Sequence, residues 1–148
     1  MKNAMISTTM FMLFLQVATA NAGMAGPEGQ LRIEVEGLSS DQGTVNIALC
    51  ATPAEFAVEG EHFREIHLPI QNHQATWLLT GIPLGEYAVK LYQDKNRNGK
   101  MDTVPFLGNP LEPYGFSNNV RHAFGRPTYE EARFSLSQPE TTLAIIAK

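Results

Sequence analysis

The sequence predicts an all-β fold, a seven-stranded antiparallel β-sandwich. Apolar and polar residues alternate along seven short segments, and turn-forming residues separate these segments at regular intervals. No segment carries the 3.6-residue apolar period of a long helix. A barrel is the competing all-β architecture, because strand alternation alone does not distinguish a closed sheet from two packed ones.

The first two predicted strands have the most regular pattern. Residues 31–36 place Leu31, Ile33 and Val35 on one face and charged residues on the other. Residues 44–50 repeat the alternation after a glycine-bounded turn. The two strands are therefore able to pair with each other.

The middle of the chain predicts three further strands. Residues 52–64 break the pattern and predict a loop with one helical turn. Residues 65–70 and 75–79 are two short strand-like runs on either side of a polar turn. Residues 86–93 alternate over their whole length and predict the clearest strand of the protein.

The last third of the chain begins with a long irregular segment, residues 103–131. It contains prolines and glycines and has no sustained period, and loops of this length in compact domains are usually functional or disordered. Its aromatic residues favour an ordered loop. Thr128 and Glu131 have the spacing of a capping box, which predicts one short helical turn. Residues 133–137 and 141–147 supply the last two strands.

The N-terminus has the pattern of a secretory signal peptide over residues 1–22. Lys2 precedes an uncharged stretch at 5–18, and small residues follow it. This apolar stretch is too short to span a bilayer as a helix. We expect cleavage after Ala22, with Ala20 as the second choice, and a periplasmic or secreted protein that does not span a membrane.

Residues 23–29 are expected to be a flexible lead-in, and residues 30–148 a single β-sandwich domain. The one cysteine, Cys50, has no partner for an internal disulfide and is expected to be a buried thiol. The formal net charge of −4 and the lack of a lysine or arginine cluster exclude a nucleic-acid-binding stripe.

The most specific chemical signal is the segment 94–102. Oxygen-bearing side chains stand at alternate positions, a glycine permits a sharp turn, and an aspartate closes the run. Calcium prefers six to eight such oxygen ligands. The sequence therefore predicts a Ca²⁺ site. The expected ligands are Asp94, Asn96, Asn98, Asp102 and the backbone carbonyl of Lys100.

This segment differs from an EF-hand, because Pro105 stands where the bidentate glutamate is required and a strand precedes the loop. The nearest carboxylate in sequence that could complete a shell is Glu112. Interleaved cations and only two charged ligands predict weak binding, and the alternative is a metal-free turn rich in Asn and Asp. The cations are Lys95, Arg97 and Lys100.

Two further functions compete with a structural calcium site. One is a hydrolase-like enzyme with its site in the 103–131 loop, using Ser117, Glu112 or His122 for nucleophilic or acid-base work, although no nucleophile elbow surrounds the serine. The other is a carbohydrate- or peptide-binding module whose aromatic residues line a groove. These aromatic residues are Tyr114, Phe116 and Phe124.

Four motifs in order resemble a bacterial family of unknown function, DUF2141. The resemblance covers residues 30–147 and implies a small exported protein, but no activity and no catalytic residue. The predicted sandwich is similar to transthyretin-like and carboxypeptidase-regulatory-like domains, which mostly bind or support other molecules. The leading expectation is a non-enzymatic binding or structural module for an unknown ligand or protein. The motifs are residues 84–89, 94–102, 113–119 and 127–132.

The transthyretin-like hydrolases of purine breakdown end in a Tyr-Arg-Gly-Ser signature. This chain instead ends in Ile145, Ile146, Ala147 and Lys148. Their activity is therefore not expected here.

Overall fold

The computed structural model describes residues 26–148, and within them the chain folds into two β-sheets. Two short α-helices and a 3₁₀ turn at Ser117–Asn119 connect some of the strands. The strands are β1 (Glu28–Glu36), β2 (Thr44–Cys50), β3 (Arg64–Pro69), β4 (Ala75–Pro83), β5 (Gly85–Asp94), β6 (Tyr114–Phe116), β7 (Phe134–Leu136) and β8 (Glu140–Ile146). The helices are α1 (Pro53–Ala57) and α2 (Tyr129–Ala132).

The sheets confirm the predicted all-β sandwich. One sheet has the order β4-β1-β8, and the other has the order β3-β2-β5-β6, with β7 also paired to β5. The prediction of seven strands was wrong by one, since eight are present in residues 26–148. The additional strand is β6, a three-residue strand inside the segment that was expected to be irregular.

Strand β1 occupies the centre of the smaller sheet. It pairs antiparallel with β4 and parallel with β8, where Ile33 lies opposite Leu143. The sandwich is therefore not wholly antiparallel. The expected pairing of the first two strands is also wrong, because β2 pairs with β3 and β5 instead.

The main core lies between the two sheets. The predicted inward positions Leu31, Ile33 and Val35 are each at most 1% exposed, and they pack with buried residues of β2 and β5. Burying a Leu or Ile side chain contributes about 1.5–3 kcal/mol, so this layer supplies most of the stability. The facing core residues of the larger sheet are Val45, Ile47, Leu49, Tyr87, Val89 and Leu91.

A second, smaller apolar cluster covers the outer face of β5. Ala88 points away from the main core and packs with Cys50 and with Phe56 of α1. Tyr129 of α2 closes this cluster, with its ring edge-on to Phe56 at a centroid distance of 6.1 Å. Apolar packing therefore covers part of both faces of β5.

The predicted signal peptide, residues 1–22, lies outside the described residues. Strand β1 begins at Glu28, so the last two residues of the predicted lead-in belong to the sheet. None of the helices in residues 26–148 has the length and apolar character needed to cross a bilayer.

Candidate functional site

The loop that follows β5 starts from a buried carboxylate. Asp94 is the last residue of the strand, lies opposite Thr44 of β2 and is 2% exposed. Its Oδ1 accepts a hydrogen bond from the backbone N–H of Asn98 at 3.0 Å, and its Oδ2 accepts one from Gly99 at 2.8 Å. Gly99 has φ +77°, which permits the turn without a steric clash. Asp94 therefore curls the loop back over the end of the strand.

The next three predicted ligands lie together. The side-chain amide of Asn96 donates to Asp102 Oδ2 at 2.6 Å, and that of Asn98 donates to Asp102 Oδ1 at 2.8 Å. Asn98 Oδ1 in turn accepts from the backbone N–H of Lys100 at 3.0 Å. The structure therefore brings Asn96, Asn98 and Asp102 into one polar cluster, and it places Asp94 against the backbone of the same turn.

The chemistry of this cluster fits a hard cation better than a soft one. Its side chains offer carboxylate and amide oxygens, which suit calcium, and no sulfur or imidazole. No group of three or more His, Cys, Asp or Glu side chains within residues 26–148 could hold a metal ion. A calcium site here would depend on the asparagine and backbone oxygens. Every buried side-chain nitrogen or oxygen in the described residues also has a hydrogen-bond partner without a cation, which fits the metal-free alternative.

Glu112 has a different position from the one expected of a further ligand. Its Oε1 accepts from the backbone N–H of Lys95 at 2.8 Å, and its Oε2 accepts from the backbone N–H of Asp102 at 3.0 Å. The side chain is 6% exposed. Both oxygens are occupied by the two ends of the loop, so Glu112 fastens the loop closed. No spacing pattern in the sequence signalled this role.

Residues 103–111 form a hairpin that projects from this closed loop. The N–H of Val104 donates to the carbonyl of Asn109 at 2.8 Å, where the chain turns back. The N–H of Leu111 donates to the carbonyl of Asp102 at 2.8 Å and closes the base of the hairpin. Phe106, at the tip, is 107% exposed and has φ +66°, a left-handed conformation that a bulky residue rarely adopts. The hairpin therefore presents an apolar ring to its surroundings.

Ser117, the nucleophile of the enzyme alternative, bonds to backbone groups inside the fold. Its hydroxyl is fully buried, accepts from the backbone N–H of Val89 at 2.8 Å and donates to the carbonyl of Ala132 at 2.5 Å. Asn118 donates from its side chain to two carbonyls at the end of α2, and Asn119 exchanges hydrogen bonds with β8. The motif 117–119 therefore ties β5, α2 and β8 together.

The three proposed catalytic side chains do not converge. Ser117 bonds to backbone groups, Glu112 fastens the 94–102 loop, and His122 Nε2 lies 2.9 Å from Glu131 Oε1. None of the three is hydrogen-bonded to another in the described part of the chain. The enzyme hypothesis required these three side chains to meet in one pocket, and this arrangement is not observed.

The three aromatic side chains that could line a binding groove do not form one. Phe116 is 5% exposed and packs against Phe56, while Tyr114 is half-buried beneath the guanidinium of Arg121. Tyr114 and Phe116 are edge-on to each other at 71°. Only Phe124 of the three is exposed, so these rings form no coplanar platform for a sugar or peptide.

Fold and site together define a class of protein, a small β-sandwich with a polar loop closed by a buried glutamate. The family model "DUF2141: Uncharacterized protein conserved in bacteria" matches residues 33–144, and the chain belongs to this family. Comparison with curated proteins and with solved structures gave no match.

Proposed function

We propose that this protein is an exported, non-enzymatic binding module whose loop 94–102 takes up Ca²⁺ and so holds the 103–111 hairpin in place. The observation that carries the proposal is the carboxylate of Asp94. It is 2% exposed, and in residues 26–148 it takes part in no salt bridge. It stands at the base of a loop that gathers further side-chain oxygens.

Burial of a carboxylate is costly unless hydrogen bonds or a counter-charge compensate for lost hydration. Two backbone N–H groups compensate Asp94 in part. A divalent cation would supply the missing positive charge. For this, the amides of Asn96 and Asn98 would rotate to offer oxygen instead of nitrogen, in exchange for their hydrogen bonds to Asp102.

The composition of the loop supports weak binding. Among the expected ligands only Asp94 and Asp102 carry negative charge. The oxygens of Glu112 already accept hydrogen bonds from backbone N–H groups. Three cationic residues stand between the ligands and lower the affinity further. Extracellular modules bind calcium with dissociation constants of about 10⁻⁴–10⁻³ M. The signal-peptide pattern at 1–22 supports a location outside the cytoplasm, where calcium at that level is available.

Thermal unfolding with and without calcium tests the proposal. Calcium at ten times its dissociation constant, about 10 mM for a site of about 1 mM, stabilises a one-site protein by about 1.4 kcal/mol, which corresponds to a rise in Tm of about 5 °C for a chain of this size. We expect millimolar CaCl₂ to raise the Tm of the purified protein, and Asp94→Ala to abolish the rise.

Asp41→Ala is the matched control. Asp41 also accepts two backbone N–H hydrogen bonds, from Asn72 at 3.1 Å and from His73 at 2.7 Å, but it lies outside the loop. This variant should lower the Tm while keeping the full response to calcium. A wild-type Tm that is the same in calcium and in chelator would contradict the proposal and favour the metal-free turn.

The expected export has its own test. Mass spectrometry of the protein recovered after expression in bacteria should give an N-terminus at Gly23, or at Asn21 for the second cleavage choice. A full-length chain retained in the cytoplasm would contradict export while leaving the calcium proposal untouched.

A further inference from the structure

The 103–111 hairpin exposes three large apolar side chains within six residues. Phe106 is 107% exposed, Leu107 is 72% exposed and Leu111 is 59% exposed. Single exposed apolar residues are ordinary, but a group of them at one protruding turn indicates an interaction site. The protein therefore carries an apolar tip with no covering element in residues 26–148.

This tip is held by the fold and is not a frayed end. Thr103 and Pro110 form a β-bridge, Gly108 donates its N–H to the carbonyl of Val104 at 2.9 Å, and Leu111 is bonded to Asp102. Glu112 then anchors the base of the hairpin to the neighbouring loop. The exposed side chains are consequently presented from a fixed base.

The loop beside the hairpin carries outward positive charge. Lys95, Arg97 and Lys100 take part in no salt bridge within the described part of the chain, and the latter two side chains are exposed. Of the acidic residues nearby, Asp94 and Glu112 are buried and bonded to backbone N–H groups. Asp102 is partly exposed and accepts hydrogen bonds from the side-chain amides of Asn96 and Asn98. Among the side chains that reach the surface of this loop, three cations therefore accompany one partly exposed carboxylate, on a chain with a net charge of −4.

We propose that the hairpin docks this protein on an anionic phospholipid bilayer. Phe106 and Leu107 enter the boundary between headgroups and acyl chains, and the cations of the 94–102 loop lie on the anionic headgroups. The proposal deepens the binding role proposed above, because it names the binding surface and its partner. It does not require calcium.

The shape and charge of the tip favour a lipid surface over other occupants. A stable protein interface buries about 800 Å² on each partner, which is far more than one narrow turn provides. A second copy of this chain would place two sets of like charges side by side. A lipid surface has no such size requirement, and it offers an apolar layer and negative charge together.

Vesicle co-sedimentation tests docking. The purified protein should partition onto vesicles of phosphatidylcholine mixed with phosphatidylglycerol more strongly than onto phosphatidylcholine alone. The double variant Phe106→Asn, Leu107→Asn should reduce this partition by at least about tenfold, since it removes the apolar contact. Asparagine also tolerates the left-handed backbone at position 106, so folding is preserved.

Matched variants separate the tip from general surface effects. Phe124→Asn removes an equally exposed ring, 95% accessible, outside the hairpin and should leave the partition unchanged. Lys100→Gln should weaken binding to the anionic vesicles about fivefold, whereas Arg32→Gln on β1 should not.

The assay is run in chelator, so its result is independent of calcium. Partition that is equal on neutral and anionic vesicles, or that is unaffected by the Phe106 and Leu107 substitutions, would overturn the docking proposal. A Tm that responds to calcium together with no vesicle binding would overturn docking alone. Tip-dependent vesicle binding without a calcium response would support docking and count only against the calcium site.

Discussion

Glu112 Oε1 accepts a hydrogen bond from the backbone N–H of Lys95 at 2.8 Å, across 17 positions of the chain. The second oxygen accepts from Asp102, so one side chain joins the start and the end of the loop. A carboxylate is suited to this role because it offers two acceptor oxygens and no donor. One buried side chain therefore fastens the base of the apolar hairpin to both ends of the loop.

The substitution Glu112→Gln tests this dependence. The amide nitrogen of glutamine would face a backbone N–H, leaving one buried donor without an acceptor, which costs about 1–3 kcal/mol. We expect the free energy of unfolding to fall by that amount in chemical denaturation. Amide hydrogen exchange within residues 103–111 should accelerate more than exchange in β2.

Glu61→Gln is the control for the loss of one negative charge, because Glu61 is exposed and lies outside the loop. It should change the unfolding free energy by less than about 0.5 kcal/mol. Equal stability of the Glu112→Gln protein and the wild type would show that the lost hydrogen bond contributes nothing net to stability.

Ser117→Ala is expected to destabilise the protein by about 1–3 kcal/mol. Removal of the hydroxyl leaves the buried N–H of Val89 without its acceptor and breaks the link to α2. Ser137→Ala, at an exposed position, should remain within about 0.5 kcal/mol of the wild type. Denaturant unfolding measures both, and similar values for the two variants would refute the structural role of Ser117.

Stability should depend on pH through Glu131. Hydrogen bonds from the backbone N–H and the hydroxyl of Thr128 lower the pKa of this carboxyl below its ordinary value of 4.5. A lowered folded-state pKa stabilises the fold above the unfolded pKa, and this contribution is lost as the pH falls through the folded value. Glu131→Gln should therefore lose less stability than the wild type on acidification from about pH 5 to about pH 3.

Guanidinium unfolding at several pH values measures this effect. The contribution is expected to be modest, because the carboxyl is exposed to solvent. If the free energy of unfolding changed with pH in the same way for the wild type and for Glu131→Gln, the lowered pKa of Glu131 would be contradicted.

Cys50 should be unreactive in the folded protein. Its side chain is fully buried, and desolvation raises the pKa of the thiol to about 11. At about pH 8 only about one molecule in a thousand would carry the reactive thiolate. A thiol-specific disulfide reagent should label the protein in denaturant and leave it unmodified in native buffer. Rapid labelling of the native state would contradict burial.

Much of the fold could be predicted from local sequence. The alternation in β1, β2 and β5 predicted the faces that the core uses, and the capping box at Thr128 and Glu131 is present as expected. The short strand β6 was missed because three residues carry too little periodicity. Its existence depends on the free edge of β5, which the sequence does not reveal.

Strand neighbours were less predictable than strand positions. Alternation shows which face of β1 is buried, but it contains no information about whether β2 or β8 lies beside it. The parallel pairing of β1 with β8 joins segments more than a hundred residues apart. Such pairings are selected by packing of the whole core.

The candidate site was partly predictable for the same reason. The spacing of Asn96, Asn98 and Asp102 is local, so their convergence could be expected from the sequence. The roles of Glu112 and Ser117 depend on backbone groups that are distant in the chain, and a lone glutamate or serine gives no sign of such partners.

The parallel pairing of β1 with β8 has a consequence for biosynthesis. A chain that emerges N-terminus first presents β1 early, but its second neighbour follows more than a hundred residues later. Until Glu140–Ile146 has emerged, one edge of the central strand is open and can recruit a foreign strand. We expect chaperones to be most important for this protein in that interval, and removal of residues 139–148 to cause aggregation.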